Sequence, residues 1–451
     1  MRRRAYALCK PRANPGRDKV TLRGYRFEPL VLALVALAAL PAVSLTGPQD
    51  RTRYELTRHL VLHHTLTVEP DLFDRSVYGG HAYSDKAPGM SFFAVPAYEA
   101  ERLLGIAEAP NDWKAEGDAS LWLMRVLTSG LLFLASVFIV GRLAERLVVG
   151  TGAVTAATFG VATLAAPLAP TFFEHDAAGA FAIAAFAIVW LGRRRRALAL
   201  AGLCAGTAVL FQYAAALVAV VLTVYCAWRH RRRVAWYLLG AVPPAIALGA
   251  YDWAAFGSPF HLSYRYVANR YTERQHGGFF GIGRPTLGGI RDVLVGTRGL
   301  LFWSPVSLAA AIGFVLLWRR GYRAEALLGG SVVVLFILLD AGYFLPYGGG
   351  SPGPRFLGAA LPFLALGLPC AFTRFRIPTL ALAVVSAVTM SIDALSWGVR
   401  AVDDTAWLPG KNDVVKTVWA LAGLNRDAGA ALVLAAALAA VAVGVTATVR
   451  R

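Results

Sequence analysis

Long apolar runs alternate along the chain with short basic connections and longer mixed ones. A helix needs about 20 residues to cross a bilayer. Twelve runs of roughly that order predict helices at 27–46, 121–141, 150–168, 177–192, 197–212, 213–228, 234–254, 302–318, 324–343, 356–372, 377–395 and 428–448. Residues 197–228 are one apolar stretch, too long for a single straight span, with Arg193 to Arg196 before it and Arg229 to Arg233 after it. Basic residues at both flanks put both ends on one side, so the stretch reads as a tight hairpin turning near Gln212. No repeat of fixed period interrupts the pattern. The expected architecture is an all-α polytopic membrane protein of about 12 transmembrane helices. A basic segment, 1–26, precedes a single membrane domain over 27–451.

Composition agrees. Of 451 residues 57% are hydrophobic and 16% charged, and mean hydropathy is +0.53. A soluble domain carries roughly a quarter charged residues. The net charge of +18 raises nucleic acid as a partner, but the basic residues sit between apolar runs rather than on one polar face, which argues against it. They set the orientation instead. With the N-terminus inside, 26 of the 45 Lys and Arg fall in inner segments and 23 of the 27 Asp and Glu fall outside or at outer span ends. That split predicts an even number of spans, both termini cytoplasmic, in the cell membrane. The basic start is long and no small-residue cleavage site follows the first apolar run, so it does not read as a cleaved signal peptide. Cys9, Cys204, Cys226 and Cys370 lie in inner or intramembrane segments without metal spacing, and no structural disulfide is expected.

The inner connections are short, whereas the extracytoplasmic loops 47–120, 255–301 and 396–427 are long enough to carry chemistry. The first of them is the most informative. Residues 51–64 (RTRYELTRHLVLHH) are weakly amphipathic and fit an interfacial helix. Residues 81–104 contain a second short helix whose start is set by Ala87-Pro88-Gly89.

An acidic residue just after the first span, a Tyr83-Ser84-Asp85-Lys86-Ala87-Pro88-Gly89 segment and a short interfacial helix together resemble the GT-C glycosyltransferases. The resemblance is strongest to the branch holding protein mannosyltransferases (glycosyltransferase family 39) and aminoarabinose transferases. FGSPF at 256–260, RGLLFWSPV at 298–306 and YGGGSPGPRFL at 347–357 agree with it. It covers most of the chain, through short motifs of moderate specificity. It implies transfer of a sugar from a polyprenyl-phosphate donor to an extracytoplasmic acceptor (glycolipid, polysaccharide or protein) with inversion. One carboxylate would then take the acceptor proton. The position matching the family's acid is Asp50, which would also suit the N-cap of the 51–64 helix. The family's second acid corresponds to Glu174 or Asp176, either of which would orient the acceptor or hold a divalent cation; Asp176 would equally cap the fourth span. No cofactor is otherwise required.

A departing lipid phosphate needs cationic partners. Arg355, behind a run of glycines, is the first candidate, against a reading as a snorkelling arginine. Lys86 is the second, with Asp85 as its salt-bridge partner or a substrate contact, and Arg298 the third. Tyr83, His175 and Tyr264 are further candidates for contacting substrate, Tyr264 alternatively as an interfacial anchor. His59 and His63 have helical i,i+4 spacing, but without an HExxH pattern or clustered acids they read as solvated histidines, and no metal site is expected. Two other classes compete: a transporter or flippase of a lipid-linked envelope precursor, and a non-catalytic subunit of an envelope assembly complex. Transporters concentrate ionisable groups and broken helices at the bilayer midplane. Here nearly all such groups lie at span ends, which favours the enzyme.

Overall fold

A computed structural model describes residues 24–43, 47–107, 119–349, 351, 353–400 and 417–449. Most of the basic segment 1–26, with Cys9, lies outside the described residues, as do 401–416 of the third long loop. The first helix, α1 (Glu28–Ala39), is shorter than its apolar run. Pro41 has no N–H and restricts the residue before it. The chain leaves the helix there, and the Pro41 carbonyl accepts the Val418 N–H at 2.8 Å.

Both helices expected in the first loop are present, as α2 (Pro48–Leu62) and α3 (Gly89–Leu103). Helix α2 starts earlier than expected, with Pro48 in the first turn, where its missing N–H costs nothing. The N-cap is therefore Gly47. Asp50 is the third helical residue, and its carboxylate reaches back to the Gly47 N–H at 3.4 Å. Gly89 opens α3 because a Cβ there would lie 2.6 Å from the Leu210 carbonyl oxygen.

Between the two helices lies an element that the span pattern does not predict. Strands β1 (Arg75–Tyr78) and β2 (His81–Ser84) pair antiparallel, Arg75 opposite Ser84. Gly79 and Gly80 have φ of 58° and 81°, the left-handed pair that a two-residue hairpin requires. The hairpin is stitched to the second long loop. Ser76 Oγ donates to the Ser263 carbonyl at 2.7 Å, and Ser263 Oγ donates to the Asp85 carbonyl at 3.0 Å.

The remaining helices are α4 (Leu121–Leu147, with a π turn at Val126–Gly130), α5 (Gly152–Ala162), α6 (His175–Leu191), α7 (Arg195–Phe211), α8 (Ala216–His230), α9 (Val234–Phe256), α10 (Leu287–Val295), α11 (Val306–Arg319), α12 (Arg323–Gly342), α13 (Leu361–Arg374), α14 (Arg376–Arg400) and α15 (Arg426–Val449). All twelve predicted runs fall on helices. Among the described residues, five helical stretches are long and apolar enough to cross a membrane, six if the pair bent by 96° before α11 counts as one. At that bend Ser304 Oγ donates to the Ala162 carbonyl at 2.7 Å, and Ser386 Oγ accepts the Val306 N–H at 3.0 Å. Such partners are what let a helix break away from water.

The 197–228 run does fold back. Gln212 is extended (φ −141°, ψ 114°) between α7 and the turn into α8, and Arg231 turns the chain again at φ 51°. Helices α7 and α9 then lie side by side, with Gly202 against Tyr237 and Gly206 against Ala241. A Cβ on Gly202 would sit 1.7 Å from the Tyr237 carbonyl oxygen, and one on Gly240 1.8 Å from that of Ala199. Small residues let helix backbones meet this closely where no hydrophobic force drives association. Val224, Trp228, Ile246 and Trp253 stay exposed on α8 and α9, as side chains facing lipid would.

Gly202→Leu should therefore cost ~3 kcal/mol or more, because the obstruction is backbone and cannot swing aside. Thermal unfolding in detergent checks this. Gly330→Ala, whose added Cβ meets nothing within 4 Å, should leave the melting temperature within about a degree or two, as surface-like substitutions do.

Candidate active site

The first turns of α2 carry Asp50 and Arg53, one turn apart and both fully buried. Each meets a partner distant in sequence. Asp50 Oδ2 accepts from Arg125 Nη2 at 2.7 Å, and Asp50 Oδ1 accepts the Phe172 N–H at 2.8 Å. Arg53 Nη2 donates to Glu174 Oε2, and Arg53 Nη1 donates to the Gln49 carbonyl at 2.7 Å. Thr171 Oγ1 accepts the Phe173 N–H at 3.2 Å and shapes the turn that presents Glu174 ahead of α6. Burial alone would push the Glu174 carboxyl up, but Arg53, then His175 and Arg355, outweigh it and hold the pKa at about 2. Asp176 is also buried, yet its Oδ2 has no hydrogen-bond partner among the described residues. Of the two predicted acids, Glu174 belongs to the charged cluster.

Lys86 follows directly on β2. Its ammonium donates to Asp85 Oδ2 at 2.8 Å and lies 3.3 Å from Asp74 Oδ2. Two carboxylates thus share one buried cation. Burial first, and the Asp74 charge after the opposing pull of Lys86, raise Asp85 to about 6. Asp85 Oδ1 is buried without a hydrogen-bond partner among the described residues.

Arg355 lies on a 3₁₀ turn (Arg355–Ala359), its guanidinium stacked on Phe173 (5.3 Å) and Phe356 (5.6 Å). Gly348, at φ 78°, makes room for it: a Cβ there would lie 2.7 Å from Arg355 Nε. Arg355 is 6% exposed, its Nε has no acceptor, and it has no ion pair among the described residues. Tyr264 and Tyr343 stand between these groups. Tyr264 is under the charge of Glu174, Asp85, Arg53 and Arg355, and Tyr343 under that of Arg355, Lys86 and Asp85. Both tyrosines also line an apolar cavity of about 560 Å³, with Gln212, Leu217, Leu248 and Leu339.

The structure thus brings together Glu174, His175, Asp85, Lys86, Tyr264 and Arg355, with Asp50 one turn of α2 behind Arg53. Tyr83 packs beside them on Phe256. Arg298 stands apart, facing Tyr347 at 6.0 Å and the Gly349 carbonyl at 3.5 Å, where it braces the loop leading to Arg355. Arg53, Arg125, Asp74 and Tyr343 are absent from the sequence-derived set. Arg125 had a readable signal, since a charge inside an apolar run must find a partner. Arg53 had a weaker one, its i+3 spacing from Asp50.

A histidine-containing cluster lies farther along α2. Glu55, His59 and Glu69 present ligand atoms within 4.8 Å of one another. Arg58 Nη1 is 3.0 Å from Glu55 Oε2 and 3.7 Å from Glu69 Oε1, so a guanidinium already supplies the counter-charge.

The fold is similar to that of solved membrane proteins of low sequence identity. The chain superposes on the aminoarabinose transferase ArnT from Cupriavidus metallidurans in the apo state with a TM-score of 0.53. The match has 18% identity and covers 94% of this chain and 75% of that one. The same enzyme bound to undecaprenyl phosphate gives 0.51 at 16% identity, over 94% and 76%. At these identities the likeness concerns architecture alone. No protein-family model and no curated protein matches the sequence.

Arg53→Ala should destabilise the protein by about 3–5 kcal/mol, because it strands a buried carboxylate. The pH dependence gives a second readout. With its folded pKa lowered, Glu174 contributes stability in full above about 4.5, lost as pH falls toward about 2. Melting temperatures of the wild type should fall below about pH 4.5 for this reason, and Arg53→Ala should lack that part of the decline.

Proposed function

We propose that the chain is an integral-membrane glycosyltransferase that moves a sugar from a polyprenyl-phosphate donor to an acceptor hydroxyl outside the cytoplasm. In this reading it has about twelve spans, with both termini cytoplasmic. Arg355 carries the proposal: a buried guanidinium without an ion pair among the described residues, next to Phe356 on the wall of an apolar cavity, suits a ligand that is anionic at one end and hydrocarbon at the other. A soluble nucleotide sugar would leave that cavity unused.

In the reaction the acceptor oxygen bonds to the anomeric carbon as the bond from that carbon to the phosphate oxygen breaks. The electron pair leaves with the polyprenyl phosphate, and the acceptor proton passes to a carboxylate. Arg355 and Lys86 meet the charge on the departing phosphate. Arg298 acts on it indirectly, through the loop it braces. Tyr264, Tyr83 and His175 line the approach to the reacting centre. Glu174 fixes Arg53, and Asp176, buried with an Oδ2 that has no partner among the described residues, orients the acceptor.

Asp50 is the proton acceptor that the resemblance assigns; Arg125 and the Phe172 N–H fix its carboxylate in place. Its complete burial requires the first turn of α2 to shift as the acceptor enters. Asp85 is the second reading, favoured by its unpartnered Oδ1 and by a pKa of about 6, close to the working range of a general base.

The test is release of free polyprenyl phosphate from a panel of polyprenyl-phosphate sugars with a mixed acceptor extract. Wild type should release it from one donor. Whichever of Asp50→Asn and Asp85→Asn abolishes turnover while still binding donor identifies the base. Arg355→Ala should weaken donor binding by about 10–100-fold, the loss of a charge-assisted contact. Donor binding undiminished in Arg355→Ala would remove the main support for this reading.

Donor affinity should also rise as pH falls through about 6. Protonating Asp85 removes one of the two carboxylates that neutralise Lys86. Titrations of wild type and Asp85→Asn check this, and the variant should bind tightly at every pH.

A further inference from the structure

We infer that Gln212, with His175 beside it, reads the hydroxyl groups of the transferred sugar. The inference rests on the glycosyltransferase reading and adds to it the subsite that selects the sugar. Gln212 is 3% exposed, and neither its side-chain oxygen nor its nitrogen has a hydrogen-bond partner among the described residues. A buried amide left this way is costly, and buried polar groups are normally satisfied. The exception calls for an occupant, and Gln212 is among the residues lining the cavity shared by Tyr264 and Tyr343.

The backbone explains why the side chain is available. Gln212 sits at the break between α7 and α8, where its N–H donates to the Ala208 carbonyl at 2.9 Å and its carbonyl accepts the Ala215 N–H at 2.8 Å. The main chain is satisfied without the side chain, whose polar atoms stay buried at the cavity wall. His175 is in a similar state. It interacts with the Gln212 side chain, and its Nδ1 is buried without a hydrogen-bond partner among the described residues. Glu174 Oε1 is 3.9 Å from that nitrogen, beyond hydrogen-bond range. The imidazole is held edge-on between Phe173 and Phe356.

The chemistry of these groups selects the ligand. A carboxamide offers an acceptor and a donor side by side. That fork fits two neighbouring hydroxyls, one donating to Oε1 and the other accepting from Nε2, and His175 can take a third. A phosphate would use only the donor half, and Arg355 and Lys86 already stand for it. An isoprenoid tail would use neither half. A site built to hydrogen-bond hydroxyls rejects analogues that lack them, since its own polar groups are then left unpaired.

The experiment compares two kinds of probe on the purified full chain. One is undecaprenyl phosphate; the other is the same lipid phosphate carrying mannose, galactose or arabinose. Gln212→Leu keeps the bulk and removes both polar atoms, and Gln212→Met serves the same comparison if the leucine variant folds poorly. The expected result is at least a tenfold loss of affinity for the preferred sugar-bearing donor, a flatter ranking among the sugars, and affinity for undecaprenyl phosphate within about twofold of wild type. An equal loss for both probes would make Gln212 a determinant of the lipid cavity and overturn the inference. So would an unchanged ranking of the sugars, or a wild type that binds undecaprenyl phosphate and gains nothing from any sugar. A wild type that binds neither kind of probe would overturn the glycosyltransferase reading and this assignment with it.

Discussion

Two fully buried arginines, Arg53 and Arg125, organise the molecule around Glu174 and Asp50. A charge taken out of water must be met by an opposite charge in good geometry, or the structure around it gives way. Both carboxylates answer from segments far away in sequence: Asp50 lies 75 residues before Arg125, and Glu174 lies 121 after Arg53. These pairs, with the Phe172 N–H on Asp50, fix the first helix after α1 against α4 and against the turn between α5 and α6. Phe173 is held there, and Arg355 can stack on it. Remove the compensation and the stacking surface, the turn and the start of α6 lose their common anchor.

What remains uncompensated then acquires meaning. The cluster has cations with partners and one, Arg355, without an ion pair among the described residues. It has a lysine shared by two carboxylates, and an amide and an imidazole nitrogen with unused hydrogen-bonding capacity. Of these, Gln212 lines the apolar cavity, and Arg355, Lys86 and Asp85 act on the tyrosines that share it. The protein spends its internal partners on holding the walls and leaves the interior of the site to be completed by a ligand.

Much of the scaffold was readable because apolarity is a local property. The predicted runs fall on helical segments, several of them shorter than a span or broken, as at 150–168 and 356–372, and the reversal at Gln212 followed from basic flanks on both sides of one long stretch. The hairpin at Gly79-Gly80 had a local signature that a search for spans passes over. The charged pairs had none. A lone Arg125 announces that a partner exists without naming it among several acids. Likewise Glu174 and Asp176 are equivalent in sequence, and only the point where α6 begins sends one toward Arg53 and leaves the other with an unpartnered oxygen. Asp50 shows the reverse limit. Its role is expected from position, but its place inside the first turn depends on Pro48 starting the helix three residues earlier than the 51–64 reading.

The hairpin of the first loop has a fixed end and a free one. Its base carries Ser84, Asp85 and Lys86 into the site and is tied to Ser263. Its tip, Gly79-Gly80, has room on all sides: a Cβ on either glycine would meet nothing within 4 Å. The antiparallel register isolates the two ends, because residues added in pairs beyond Tyr78 and His81 lengthen the ribbon without shifting Arg75 from Ser84. Evolution can therefore vary what projects from this surface while the ionised machinery at the root stays constant, which makes the tip a natural place for related proteins to diversify.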